Sequence, residues 1–264
     1  MIDKKDSSGI IFSCFSDGSR AGELLLKEHI LCYIISGSIE AFDGARKHSY
    51  HKGNLFLYKR NTLTRFSKYP ADGVPYKSIS VILDREFLLE FNRQNNQQFH
   101  QERFVDESVF SIPPDNLLLN FLTSLLPWFD EKIPQQLVNL KKQEAVLLIL
   151  RNQPHLKDIL FDYTNPGKID LEAFMNQNFK FNIELPELAY LSGRSLASFK
   201  RDFEKIFNMS PHRWAQIKRL QEAHYLLSEK KMKPNDVYIE VGFESLSHFS
   251  FAFKKYFGQN PSTI

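Results

Sequence analysis

Cysteine is nearly absent: Cys14 and Cys32 are the only two in 264 residues. A disulfide scaffold would need more, and no Cys-x-x-Cys pair offers a metal cage. Long apolar runs are absent too; the longest fall far short of the roughly 20 residues that a membrane helix needs. The start, Met1-Ile2-Asp3-Lys4-Lys5-Asp6, carries both signs of charge and leads into no apolar signal segment. The expectation is a reduced, cytoplasmic protein without a membrane segment. His-x-His is missing as well. His29, His48 and His51 are scattered, which does not suit the close histidine pair, carboxylate and later histidine of a metal-dependent barrel enzyme. No metal, cofactor or catalytic residue is therefore expected, and these histidines read as surface or pocket polar groups.

What is present is ordinary globular composition, 42% apolar and 25% charged, in a chain long enough for two domains. The net charge of +3 is unevenly placed. Basic and acidic residues balance at 20 and 20 over residues 1–164, whereas residues 165–264 hold 14 against 11. The excess gives a modest electrostatic reason to seek a polyanionic partner in the last hundred residues.

Residues 10–82 read as β-rich. Short runs of β-branched and aromatic residues (Ile10 to Phe12, Ile30 to Ile35, Ser38 to Phe42, Asn54 to Tyr58, Ser78 to Leu83) are separated by turn residues. Ser36-Gly37 and Asp43-Gly44 read as tight hairpin turns. A helix starts at Asp84, and Asn92 to Gln101 reads as loop. Asp115 caps a helical apolar stripe of Leu118, Leu122, Leu125 and Trp128, with Leu119, Leu126 and Phe129 beside it. Further helices are expected at 134–152 and 155–163. Asn165-Pro166-Gly167 marks a linker. The predicted domains are 1–163 and 169–264.

The second half is helical in pattern, with helices at about 170–178, 184–191, 195–207, 211–228, 234–241 and 245–257. One unit occurs twice. A short helix ends in Ser192-Gly193-Arg194, and Ser195 caps a second helix with Phe199, Phe203 and Ile206 on one face. Fifty residues later a short helix ends in Gly242-Phe243-Glu244, and Ser245 caps a helix with Phe249, Phe253 and Phe257 at four-residue spacing. A short helix, a glycine turn and a helix with a greasy inner and cationic outer face make a helix-turn-helix. Between the units, Ser210-Pro211 opens a helix of about 18 residues, roughly 27 Å long. That length suits two reading helices about one DNA turn, roughly 34 Å, apart.

Two runs carry a family resemblance. The first is Leu188-Ala189…Ser195…Phe199-Lys200-Arg201-Asp202-Phe203…Ser210-Pro211…Arg219-Leu220…Ala223…Leu226-Leu227. The second is Val241-Gly242-Phe243-Glu244-Ser245…Ser247-His248-Phe249-Ser250…Phe253-Lys254-Lys255…Phe257-Gly258…Pro261. Residues 169–264 thereby resemble the DNA-binding domain of AraC/XylS transcription regulators. The resemblance implies that Ala197, Lys200 and Arg201 on the first reading helix, and Ser247, His248 and Phe251 on the second, face base edges. Arg201 could pair with guanine and Phe251 pack on a thymine methyl. Ser195, Lys205, Arg219, Ser245, Lys254 and Lys255 would meet phosphates. His248 has an alternative reading as a capping residue, and Arg219 as a purely structural one. Phe251 stands where the family often has arginine, and Tyr238 where a small residue is usual.

The resemblance implies an α+β protein of two domains: a cupin-like N-terminal β-barrel with a helical dimerisation segment, then an all-α double helix-turn-helix joined by a long helix. It also implies double-stranded promoter DNA and RNA polymerase as partners, activation, a homodimer and no membrane. A small-molecule effector or a regulatory protein would act on the first domain, whose residues for it are unknown. The aromatics Phe12, Phe15, Tyr33, Phe42, Phe56, Tyr58, Phe66, Tyr69 and Tyr76 either line a barrel cavity or fill it. The apolar stripe that begins at Leu118 either packs on the barrel or pairs with a second subunit. Two rival functions are a cupin-type metalloenzyme fused to a DNA-binding domain and a DNA-binding adaptor of low specificity.

Overall fold

The computed structural model describes residues 9–95, 107–129 and 133–264. The chain divides into two compact units, Met1–Thr164 and Asn165–Ile264. The first is built on two antiparallel sheets. The strands are β1 (Ile10–Phe15), β2 (Arg20–Leu26), β3 (His29–Ser36), β4 (Ser38–Phe42), β5 (Lys47–His51), β6 (Leu55–Tyr58), β7 (Thr62–Tyr69), β8 (Tyr76–Leu83) and β9 (Val109–Ile112). Their order is β1-β8-β3-β6-β9 in one sheet and β2-β7-β4-β5 in the other.

The five-stranded sheet is buried on both faces. All four residues of β6 are buried, as expected of a strand with no solvent side. On one face Leu31, Leu57, Ile79 and Val81 pack with Leu88 and Phe91 of α1 (Arg85–Asn95), Leu118 and Leu122 of α2 (Asn116–Ser124), and Val138 and Ile149 of α3 (Gln135–Asn152). On the other face Phe15, Cys32, Ile34, Phe56, Tyr58 and Tyr76 meet Leu26, Ile39, Ala41 and Tyr50 of the smaller sheet. These rings fill the space between the sheets: Tyr50 stacks on Phe56 at 3.8 Å and Phe15 on Tyr76 at 5.2 Å. Phe12 and Tyr33 belong instead to the helical side, and Tyr69 is exposed.

Several sequence expectations change. Ser36-Gly37 is no hairpin turn: β3 and β4 lie in different sheets, and Gly37, at φ +80°, turns the chain from one to the other. Asp43-Gly44 does close a hairpin between β4 and β5, and Asp43 Oδ1 accepts from the Ala45 and Arg46 amides. Asn92 to Asn95 continue α1 rather than forming loop; the rest of that expected loop, Asn96 to Gln101, lies outside the described residues, as do Met1 to Asp6. α2 ends at Ser124 and a 3-10 turn covers Leu126–Phe129, because Pro127 cannot continue the hydrogen-bond ladder. The stretch 155–163 holds a 3-10 turn at Pro154–Leu156 and one short helix, α4 (Lys157–Leu160). His29 is neither a surface nor a pocket group. It is 1% exposed, its Nδ1 accepts the Arg60 amide at 3.2 Å, and burial pushes its pKa down to about 3.

The apolar stripe on α2 is also settled. Leu118, Leu122 and Leu125 are buried in the unit's own core and unavailable to a second subunit; the Phe129 side chain lies outside the description. Leu117 of α2 and Leu126 beside the stripe stay exposed, as do Leu137, Leu140 and Leu147 of α3, at 46%, 58% and 51%.

The second unit is helical: α5 (Leu171–Asn178), α6 (Leu185–Leu191), α7 (Leu196–Phe207), α8 (Pro211–Ser228), α9 (Pro234–Glu240) and α10 (Leu246–Phe257). Two cores form. Phe199, Phe203 and Trp214 pack with Leu171, Met175, Leu188 and Ala189; Phe249 and Phe253 pack with Leu220, Ala223, Leu227, Val237 and Val241. Both are built on α8, whose first half serves one and second half the other.

Candidate nucleic-acid interface

Each helix-turn-helix rests on a local device. Gly193 ends α6 at φ +67°, and a Cβ there would lie 2.2 Å from the Gly167 carbonyl carbon, so only glycine fits between turn and linker. Arg194 fastens the same linker, donating to the Ile169 carbonyl at 3.0 Å and to Asp202 at 3.2 Å. Its guanidinium is also the main reason that the Asp202 pKa is held low. In the second unit Gly242 stands at φ +91°. Ser195 Oγ accepts the Ser198 amide at 3.2 Å, and Ser245 Oγ accepts the His248 amide at 3.3 Å. Both hydroxyls thus cap the helices that follow, satisfying a donor that the first turn leaves orphaned. Asn208 and Gly258 end α7 and α10 in the left-handed conformation.

The phenylalanine registers orient these helices. Phe199, Phe203, Phe249 and Phe253 are each 0% exposed. On α7 this turns Ala197, Lys200, Arg201 and Lys205 outward, all exposed. Arg201 has one weak neighbour, Asp202 at 3.5 Å, and its side chain is 77% exposed. On α10 Ser247, His248, Phe251, Lys254 and Lys255 are exposed, and Phe251 reaches 68%. His248 lends its amide to the cap, while its ring stands edge-on to Phe243 at 5.4 Å and faces solvent.

Arg219 behaves differently from the other phosphate candidates. Its Nε donates to the Phe179 carbonyl at 2.8 Å, Nη2 to Phe181 at 2.7 Å and Nη1 to Gly242 at 2.9 Å. Three of its five N–H donors are thus engaged by the fold, which supports the structural reading of this side chain. Sequence alone could not reveal this, because the three acceptors are backbone carbonyls far away in the chain. Asn182 adds a second tie, to Glu244. Tyr238 packs against the core of the second unit.

Among the described residues no cluster of metal-ligating side chains occurs, and no helix is long and apolar enough to cross a membrane. Comparison with known proteins follows the same division. Residues 188–264 match the helix-turn-helix domain family, and residues 29–159 match the ExsA N-terminal regulatory domain. The HTH-type transcriptional regulator ExsA of Pseudomonas aeruginosa is 25% identical over 243 residues, covering 89% of this chain and 85% of that protein. The virulence regulon transcriptional activator VirF of Yersinia enterocolitica is 25% identical over 240 residues, 88% of this chain and 87% of that one. A crystal structure of apo ToxT from Vibrio cholerae covers 98% of both chains at 13% identity and a TM-score of 0.46. With two helix-turn-helix units on one long helix, a helix-turn-helix family match over them and a regulatory-domain match before them, the chain belongs to the AraC/XylS family of DNA-binding transcription regulators.

Proposed function

We propose that residues 169–264 read a promoter operator through two helices, and that residues 1–163, a cupin-like sensing and dimerisation domain, govern that reading in response to an effector or a regulatory protein. The observation that carries the reading is the paired register of α7 and α10. Each buries two phenylalanines completely, Phe199 and Phe203 on α7 and Phe249 and Phe253 on α10, and turns lysines outward on its other face. Ala197, Lys200, Arg201, Ser247, His248 and Phe251 meet base edges in two successive major grooves. Ser195, Lys205, Ser245, Lys254 and Lys255 hold phosphates. The regulator acts in the cytoplasm as an activator that also touches RNA polymerase. Relatives named as transcriptional activators support that sign.

The protein works as a homodimer through α3. Leu137, Leu140 and Leu147, three and then seven residues apart, share one exposed face of α3, and such a face can pair with its own copy across a two-fold axis. Regulation is then a population shift between arrangements that can and cannot grip DNA.

The test is Arg201→Ala. Direct reading predicts a loss of roughly 1–3 kcal/mol that falls on one base position. An equal weakening on all sequences would make Arg201 a phosphate contact and remove the first helix's claim to specificity.

A further inference from the structure

The two sheets of the N-terminal unit end in edge strands on the same side: β5 closes the four-stranded sheet and β9 the five-stranded one. No described strand bridges them, and a slot of about 470 Å³ opens there. That volume suits a small metabolite. Arg46 and His48 from the β4–β5 hairpin line it, as does His155 from the turn before α4. His48 is oriented, its Nε2 3.0 Å from Asp43 Oδ2. Arg46 and His155 are exposed, and neither side chain has a hydrogen-bond or ion-pair partner among the described residues. Glu107 and Ser111 line the same slot with a carboxylate and with a hydroxyl that is hydrogen-bonded to Tyr50. The floor is the Tyr50 ring, 7% exposed and stacked on Phe56.

A guanidinium and two imidazoles lining one space match a phosphoryl group, which takes several hydrogen bonds at once. The Glu107 carboxylate would repel that group, but accepts hydroxyl protons well. We propose that this slot binds the phosphomonoester of a small hydroxylated molecule, with the phosphoryl group on Arg46, His48 and His155 and the hydroxyls on Glu107 and Ser111. The proposal rests on the N-terminal unit being the regulator's input side. Because binding is measured without DNA, its failure is distinguishable from failure of the operator reading.

The experiment is calorimetric titration of the full-length protein with glycerol 3-phosphate, glucose 6-phosphate and adenosine 5′-monophosphate, alongside inorganic phosphate and glucose. The expected result is saturable binding of at least one ester, with phosphate weaker and glucose undetectable. Arg46→Ala and His155→Ala should each weaken the ester tenfold or more. Both residues are exposed, so neither variant should lose its fold. Glu107→Gln should weaken the ester and leave inorganic phosphate unchanged. The proposal is overturned by any of four outcomes: no ester binds, phosphate alone matches the best ester as an adventitious ion would, glucose binds equally, or Arg46→Ala and His155→Ala leave affinity unaltered.

Discussion

Arg219 Nη1 reaches the carbonyl of Gly242 at 2.9 Å, joining the middle of α8 to the turn of the second helix-turn-helix. The same guanidinium holds Phe179 and Phe181, which lie between α5 and α6 beside the first unit. One side chain therefore ties the two helix-turn-helix units together. Arg219→Ala leaves three carbonyls without their charged donor and should destabilise the C-terminal unit by roughly 3 kcal/mol. Lysine, a single point donor, should restore little of it. Chemical denaturation measures the loss. The slope of log affinity against log salt, which counts phosphate contacts, should stay unchanged in Arg219→Ala. A slope reduced by about one would return Arg219 to the phosphate backbone.

The two caps offer a paired test. Ser195→Ala and Ser245→Ala each remove a hydroxyl that accepts an amide at a helix start, at a cost of about 1 kcal/mol apiece. The caps belong to different units of the domain, so the two costs should add in the double variant. Asp or Asn at either position should restore most of the stability, and thermal melting of residues 165–264 within the full chain would read it.

These caps also explain what was legible in the sequence. Serines at 195 and 245, Pro211, Pro234 and phenylalanines every four residues are local signals, and the helices of the second unit lie within a residue or two of where they point. The first unit is less readable for a physical reason. β2, β5, β7 and β9 have few apolar residues or little alternation, and they exist because a partner strand lies beside them. Tyr50, central to the packing between the sheets, sits in the polar run Lys47–His51 and drew no notice. The roles of Arg219 and His29 depend on groups distant in sequence, which no local pattern marks.

The proposed association through α3 has a direct test. Leu140, 58% exposed, should lie near the two-fold axis, and Leu140→Glu should place two like charges in an apolar contact. Sedimentation at micromolar concentration should show a dimer for the parent and a monomer for the variant, with melting of the N-terminal unit little changed. A monomeric parent would end the dimer proposal; a dimer unaffected by Leu140→Glu would move the interface elsewhere.

His29 should make the N-terminal unit acid-sensitive. Burial first, and the Arg60 and Lys59 charges second, hold its pKa at about 3 against 6.5 unperturbed. Between those values the unfolded chain binds a proton that the folded chain refuses. The stability contributed by neutral His29 is fully present above pH 6.5 and falls as pH drops toward 3, by up to about 1.4 kcal/mol per unit. His29→Asn keeps a short acceptor for the Arg60 amide and cannot titrate. Its denaturation midpoint should be lower at neutral pH but flatter across pH 4–6.5, and a slope equal to the parent's would assign the acid sensitivity to other groups.

Whether one chain reads DNA twice is answered by selecting bound sequences from a random duplex pool, at fixed salt of about 150 mM because affinity depends steeply on it. Two working helices should enrich a site with two motifs about one helical turn apart. The motif under α10 should include a thymine whose preference weakens in Phe251→Ala. A single short motif, or enrichment indifferent to Arg201 and Phe251 alike, would contradict the two-helix reading.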